Sequence, residues 1–147
     1  MHRKKILLVE DNPDDIELTK RAFRRCKYSE QIRLEIITDG EKALNYFHSK
    51  NNNICSKSYL ILLDLNIPKI DGFQVLEKIK NDDTLKLIPV VILTSSGEKK
   101  DLKKSYELGA NAYIKKPVDF KTFVEIVSKI GEYWIKINQH PYEDTFR

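Results

Sequence analysis

Residues 60–68 read LILLDLNIP, in which four large apolar residues lead directly into one carboxylate, Asp64. A short apolar run of this kind, bounded by turn signals, is typical of a strand buried on both faces of a sheet. Asp64 then lies where the strand leaves the sheet, with its side chain in a partly dehydrated crevice. A charge in such a place needs partners that stabilise it, and residues elsewhere in the chain can supply them.

Strand-like and helix-like segments alternate five times along the chain. Apolar runs predict five strands, which are Lys4 to Glu10, Arg33 to Ile37, the run ending at Asp64, Val90 to Leu93, and Ala112 to Lys115. Helical spacing predicts five helices. The first runs from Pro13 to about Cys26, the fourth from Glu98 to Leu108, and the fifth from Asp119 to about Ile137. The second contains Ala43, Leu44 and Phe47, and the third contains Phe73, Leu76 and Ile79. We expect Asn12 and Asp119 to cap the first and last helices and Gly109 to end the fourth.

This alternation predicts an α/β fold in which a parallel sheet lies between two layers of helices. With five strands, we expect the flavodoxin-like (βα)5 three-layer sandwich with strand order 2-1-3-4-5. The 147 residues are enough for one domain, whose core we place at residues 4–137, with an unpatterned tail at 138–147.

The bulk composition points to a cytoplasmic protein. The apolar segment after the first five residues is too short for a signal peptide or a membrane span. A net charge of +4 with both signs interspersed does not require a nucleic-acid partner. Cys26 and Cys55, the latter in a polar loop with Asn51–Asn53, lie far apart without metal-ligand spacing. We expect both to be free thiols in a reducing compartment.

The predicted strand order brings three carboxylates together. Strands 1 and 3 are neighbours in it, so Glu10 and Asp11 lie beside Asp64 in the crevice at their carboxyl ends. Unpaired like charges a few ångströms apart repel by roughly 1–4 kcal/mol per pair, and a divalent cation removes that cost. All-oxygen ligation suits Mg²⁺, and we expect Asp11 to be the direct ligand, Glu10 to act through water, and the Asn66 backbone carbonyl to complete the protein ligands.

Two further side chains reach the same edge of the sheet from strands 4 and 5. Thr94 offers a hydroxyl donor and Lys116 an ammonium, which together can hold an anion against the metal. A carboxylate nucleophile, a hard metal, a hydroxyl and a lysine are typical of phosphoryl transfer through an aspartyl phosphate. Asp64 is the candidate nucleophile, because it is the single acid at the end of the most apolar strand.

Four segments resemble the receiver domains of two-component response regulators. They are Val9-Glu10-Asp11-Asn12, residues 63–68 with Asp71-Gly72, Leu93-Thr94-Ser95, and Tyr113-Ile114-Lys115-Lys116-Pro117. The resemblance covers nearly the whole chain in the same order. It implies that Asp64 accepts the phosphoryl group and that Asp11, Asp64 and the Asn66 carbonyl hold Mg²⁺. One departure is Glu10, where many receivers carry a second aspartate.

The resemblance also assigns the remaining residues. It implies that Thr94 bonds a phosphoryl oxygen, and that the lysine of the site is Lys116 rather than Lys115. Tyr113 takes the position of the rotating aromatic residue of the family. The Lys116–Pro117 bond would be cis by this resemblance, whereas sequence alone gives a cis X–Pro bond only a small probability.

A closer resemblance is to stand-alone regulators paired with bacterial phytochromes. It is carried by Glu10 to Pro13, residues 64–68, Ile88-Pro89-Val90, the Tyr106 to Tyr113 segment and Tyr133-Trp134. It implies a histidine kinase, often a light sensor, as the phosphoryl donor. Because the sequence stops after the fifth helix, we expect no fused output domain.

The last helix predicts a contact with a second copy of the chain. Ile126 and Tyr133 widen its apolar side beyond the stripe of Phe123, Val127, Ile130 and Trp134. A broad apolar surface on an edge helix favours burial against another chain. We therefore expect a homodimer through helix 4, strand 5 and helix 5, the surface that phosphorylation would alter.

Plainer interpretations exist for each residue of this pattern. Alone, Asp64 could cap a turn, Thr94 could simply end a strand, and Lys116 could be solvated. Tyr113 is as compatible with a plain strand aromatic as with a switch, and the lysines of the fourth helix, Lys99, Lys100, Lys103 and Lys104, are typical of a solvated face.

A different class of function is a Mg²⁺-dependent phosphatase that forms an aspartyl-phosphate intermediate. Such an enzyme needs a second acid two residues after Asp64, where Asn66 stands. A flavin or nucleotide binder on the same fold would need a glycine-rich loop after strand 1, which is not present. We therefore expect a non-enzymatic regulator.

Overall fold

A computed structural model of the chain describes residues 3–48 and 58–141. The strands are β1 (Lys4–Val9), β2 (Ile32–Ile37), β3 (Ser58–Leu63), β4 (Val90–Thr94) and β5 (Ala112–Lys115). The α-helices are α1 (Pro13–Arg24), α2 (Gly40–Phe47), α3 (Gly72–Lys80), α4 (Lys99–Glu107) and α5 (Phe120–Ile130). Short 3-10 helices at Ser29–Gln31 and Leu85–Leu87 precede β2 and β4. The predicted loop around Asn51–Asn53 and Cys55, and the tail from residue 142, lie outside the described residues.

All five strands are parallel and follow the order β2-β1-β3-β4-β5, which confirms the predicted fold. Val9 pairs with Leu63 and Thr94 pairs with Lys115. The ladder continues one step past β3, where the Asp64 N–H donates to the Val9 carbonyl at 3.0 Å. The carboxyl ends of β1, β3, β4 and β5 therefore lie along one edge of the sheet.

The central strand β3 is buried along its whole length, as predicted from its apolar sequence. Because side chains alternate across a strand, Ile61 and Leu63 pack among residues of α2 and α3 on one face. Leu60 and Leu62 pack among residues of α1 and α5 on the other face. Burial of each such side chain contributes roughly 1.5–3 kcal/mol to stability, which fixes β3, and with it Asp64, in the middle of the sheet.

The helices begin and end where local chemistry predicts. The Asn12 side chain accepts hydrogen bonds at the start of α1, with Pro13 at the first helical position, and Asp119 accepts from the Thr122 N–H at the start of α5. Gly109 has φ +105° directly after α4, a conformation that glycine adopts without a steric penalty. These contacts confirm the predicted caps.

The last predicted helix changes its geometry partway. Its α-helical part ends at Ile130, and Gly131–Ile137 forms a π-helix. At its end the Asn138 N–H donates to the Tyr133 carbonyl, five residues earlier, at 2.6 Å. Apolar spacing over seven residues does not separate a wider turn from an α-helical one, so the sequence predicted a single continuous helix.

Two expectations about the chain as a whole can be compared with the described residues. The Cys26 thiol is free and buried, as predicted, whereas Cys55 lies outside them. Within residues 3–48 and 58–141, no helix is long and apolar enough to cross a membrane.

Candidate functional site

The structure brings the three predicted acids together at the carboxyl ends of β1 and β3. Glu10, Asp11 and Asp64 each contribute one carboxylate oxygen to a group whose three atoms all lie within 4.8 Å of one another. Glu10 is 1% exposed and Asp64 is 6% exposed, whereas Asp11 faces solvent. The crevice therefore has two buried acids at its floor and one at its rim.

Glu10 is fixed at the start of α1. Its Oε2 accepts hydrogen bonds from the backbone N–H groups of Asp11, at 3.1 Å, and Asn12, at 3.3 Å. The N-terminal end of a helix carries partial positive charge, which stabilises a carboxylate there. The other oxygen, Oε1, accepts from the Lys116 ammonium.

Lys116 is the cation of the site. Besides Glu10, its Nζ lies 3.0 Å from Asp15 Oδ2 and 3.6 Å from Asp64 Oδ2, and its side chain is 11% exposed. Asp15 was not among the site residues that the sequence predicted. Helical spacing gave no signal for this contact, because Asp11 precedes the Asn12 cap and lies outside α1.

The site carries more negative than positive charge. Glu10, Asp15 and Asp64 pair with the Lys116 ammonium, and Asp11 adds a fourth carboxylate beside Glu10 and Asp64. Burial raises the pKa of Glu10 from its ordinary 4.5 to about 7, opposed by the hydrogen bond from Lys116 and reinforced by the charge of Asp64. Burial alone would lower the pKa of Lys116, but the hydrogen bond to Glu10 and the charges of Asp64 and Glu10 raise it above its ordinary value. Lys116 is therefore charged, and Glu10 holds a proton more readily than an ordinary glutamate.

The predicted switch residues Thr94 and Tyr113 share a neighbour. Thr94 is fully buried, and its Oγ1 accepts from the Ser96 N–H at 3.4 Å. The half-buried Tyr113 donates its hydroxyl hydrogen to the Ser96 carbonyl at 2.9 Å. The exposed Asn66 donates its backbone N–H to Asp64 Oδ1 at 3.4 Å. The loop after β4 thus connects the hydroxyl at the sheet edge with the tyrosine of β5.

The expectation of a cis Lys116–Pro117 bond is corrected by the structure, in which this bond is trans. The trans isomer of an X–Pro bond is intrinsically favoured by about 0.5–1 kcal/mol. With the trans bond, the Lys116 N–H donates to the Thr94 carbonyl at 2.7 Å and the ammonium still reaches the acids. Pro117 therefore does not need the cis form to deliver Lys116 to the site.

The donor set fits a hard divalent cation. Carboxylate, carbonyl and water oxygens are the ligands that Mg²⁺ and Mn²⁺ prefer, and the clustered groups Glu10, Asp11 and Asp64 offer carboxylate oxygens. Lys116 neutralises one of these charges, which leaves a surplus that a divalent ion can balance.

Comparisons with known proteins agree with this geometry. The family described as "Response regulator receiver domain" has a model that matches residues 6–128. The chain is 40% identical over 136 residues to the probable methanogenesis regulatory protein FilR2 of Methanothrix harundinacea, which covers 92% of this chain and 86% of that protein. It is 38% identical over 134 residues to response regulator Rcp1 of Synechocystis sp., which covers 90% of each chain.

Solved structures give the same result. The crystal structure of the phosphorylated cyanobacterial phytochrome response regulator RcpA has a TM-score of 0.85 at 40% identity and covers 95% of this chain and 99% of that one. The Mn²⁺-bound form of Rcp1 has a TM-score of 0.83 at 37% identity and covers 94% and 99% of the two chains.

Proposed function

Because the chain belongs to the response regulator receiver family, we propose that it accepts a phosphoryl group from a histidine kinase onto Asp64. The observation that carries this proposal is the placement of Asp64, a nearly buried carboxylate beside the Lys116 ammonium and two further acids. No observation favours the small-molecule phosphatase, since Asn66 cannot serve as the general acid that such an enzyme needs.

In the proposed reaction an Asp64 carboxylate oxygen attacks the phosphorus of a phosphohistidine. The new O–P bond forms as the P–N bond breaks, and the electron pair of that bond returns to the imidazole nitrogen. Lys116 compensates negative charge at Asp64, from which its Nζ is 3.6 Å distant. Thr94, at the same sheet edge, would donate its hydroxyl hydrogen to a phosphoryl oxygen.

Asp11 and Asp64, with the Asn66 carbonyl, would hold Mg²⁺, and Glu10 would act through water. When bound, the ion supplies positive charge that offsets the carboxylates and the incoming phosphoryl oxygens. The hydrogen bonds from Lys116 and from the start of α1 hold Glu10 in place near this group.

The affinity for Mg²⁺ is expected to rise with pH up to about 7. The pKa of Glu10 is raised to about 7, so below that pH a cation must displace its proton, whereas above it the carboxylate is already ionised. If one proton leaves per ion, the affinity falls about tenfold per pH unit below 7. Isothermal titration calorimetry with Mg²⁺ at several pH values measures this slope. Glu10→Gln should remove the slope, and equal wild-type affinities at low and neutral pH would contradict the assignment.

We propose that phosphorylation is transmitted through Ser96. Thr94 and Tyr113 both bond the backbone of this residue, so movement of the Thr94 hydroxyl toward a phosphoryl oxygen frees the loop that anchors Tyr113. Tyr113 then turns, and the surface formed by α4, β5 and α5 changes. The phosphoryl group biases an equilibrium between two arrangements of these elements.

Thr94→Ala is expected to leave phosphorylation largely intact and to abolish the response of Tyr113. The variant keeps Asp64, Lys116 and the acids, but it lacks the hydroxyl that links them to Ser96. Nuclear magnetic resonance of the β5 amides with Mg²⁺ and beryllofluoride, a phosphoryl mimic, measures the response. The exposed strand-end residue Thr38 provides the control Thr38→Ala. Shifts of wild-type size in Thr94→Ala would contradict the coupling.

We also infer that the chain is cytoplasmic, forms a homodimer and works with a phytochrome-like histidine kinase. The kinase inference rests on likeness to RcpA, which is a phytochrome response regulator by name. The dimer inference is supported by Leu102 and Tyr106 of α4, exposed apolar residues one helical turn apart, and by the exposed Tyr133 beyond α5. Sedimentation equilibrium tests the dimer, and radiolabel transfer from purified kinases tests the partner.

A further inference from the structure

The Lys116 ammonium has a third carboxylate partner that lies outside the metal cluster. Asp15 Oδ2 is 3.0 Å from Lys116 Nζ, which is closer than Asp64 Oδ2 at 3.6 Å. The clustered acids that could share a metal ion are Glu10, Asp11 and Asp64, without Asp15. Asp15 therefore contacts the Lys116 ammonium but lies outside the group of acids that could bind the metal ion.

The backbone of Asp15 is fixed by local contacts in the first turn of α1. The Asn12 side chain accepts hydrogen bonds from the Asp14 N–H at 2.9 Å and the Asp15 N–H at 3.2 Å. The Thr19 hydroxyl donates to the Asp15 carbonyl at 2.7 Å. Because these contacts hold the backbone, the helix sets the place from which the Asp15 side chain reaches Lys116. The Asp15 side chain is 35% exposed.

An ammonium group has three N–H donors, and here it donates to Glu10 and Asp15 and forms an ion pair with Asp64 at 3.6 Å. Glu10 and Asp64 have other partners in the proposed reaction, because both lie in the candidate metal cluster and Asp64 gains the phosphoryl group. Asp15 has no such second partner there. Asp15 therefore retains an attraction for the ammonium that neither the metal nor the phosphoryl group satisfies.

We propose that Asp15 is a positioning residue that competes with the phosphoryl group for Lys116. In the unphosphorylated chain it holds the ammonium toward α1. A phosphoryl oxygen on Asp64 must draw the ammonium away from Asp15 to bond it fully. The strength of the Asp15–Lys116 pair thus limits how tightly the site holds a phosphoryl group. This inference rests on the proposed role of Asp64 as phosphoacceptor.

The test is the affinity of Asp15→Asn for beryllofluoride in the presence of Mg²⁺. A partly exposed ion pair contributes about 0.2–1 kcal/mol, so its loss should tighten binding by about 1.4- to fivefold. Asp14→Asn is the matched control, because Asp14 is the exposed neighbour on the same helical turn, with its N–H on the same Asn12 cap. It removes an equal charge without breaking a described contact to Lys116.

A second readout follows Lys116 directly. The Nζ–H resonance of Lys116 in proton–nitrogen spectra should shift in Asp15→Asn and not in Asp14→Asn, with similar thermal unfolding midpoints in both variants. Tighter beryllofluoride binding in Asp15→Asn alone would support the proposal. Affinity that is weaker, or equal to that of Asp14→Asn, would overturn it. If the wild type itself fails to bind beryllofluoride with Mg²⁺, the proposed role of Asp64 fails instead.

Discussion

We expect Asp64→Asn to abolish phosphorylation of the chain by acetyl phosphate and Mg²⁺. The amide carries no negative charge and cannot form the acyl phosphate, although its size barely differs from that of the carboxylate. Glu10 cannot substitute for it, because three hydrogen-bond donors hold both of its oxygens. The measurement is the intact mass of the protein, which reports the addition of one phosphoryl group.

A matched control is Asp83→Asn, which removes a carboxylate whose side chain is fully exposed. We expect it to be phosphorylated at the wild-type rate. Circular dichroism of both variants shows whether the fold is kept. Phosphorylation of a folded Asp64→Asn at the rate of Asp83→Asn would contradict the assignment of Asp64 as phosphoacceptor.

The second large effect is expected from Gly72→Ala, because Gly72 lies against the backbone that carries Asp64. A Cβ at this position would be 2.4 Å from the Asp64 carbonyl oxygen and 2.6 Å from the Leu65 Cα. Backbone cannot move aside as a flexible side chain does, so α3 or the end of β3 must shift. Overpacking of this kind costs typically 1–3 kcal/mol, and we expect a loss near the upper end, about 3 kcal/mol, in the free energy of unfolding.

Chemical denaturation of wild type and variant measures this loss. Gly97→Ala is the control, since the nearest atom to its Cβ would be the Lys115 Nζ, at 2.9 Å, the mobile end of a long side chain. Its effect should stay within about 0.5 kcal/mol. Equal unfolding free energies for Gly72→Ala and the wild type would show that the close approach at Gly72 does not constrain Asp64.

Much of the fold could be predicted because a small number of sequence patterns is enough to specify it. A short, wholly apolar run predicts a strand that is buried on both faces of the sheet, and β3 is buried along its whole length. Parallel strands joined by helices place their carboxyl ends at one edge, so the meeting of Glu10, Asp11 and Asp64 followed from the strand order alone. These inferences needed only periodicity and connectivity.

The features that sequence reasoning missed depend on local geometry. The contact of Asp15 with Lys116 requires the orientation of α1 relative to β5, which helical spacing alone does not give. The π-helical segment after Ile130 has nearly the same apolar spacing as an α-helix. The Lys116–Pro117 isomer was inferred by resemblance rather than from the residues, and the structure has it trans.

The central claim is that Asp11 and Asp64 hold one divalent cation beside Lys116. The most direct measurement is the anomalous diffraction of crystals grown with Mn²⁺, which prefers the same oxygen ligands as Mg²⁺. We expect one peak at the carboxyl ends of β1 and β3, with oxygens of Asp11 and Asp64 as ligands. An empty crevice in which these two side chains point apart, with Mn²⁺ bound elsewhere or not at all, would contradict it.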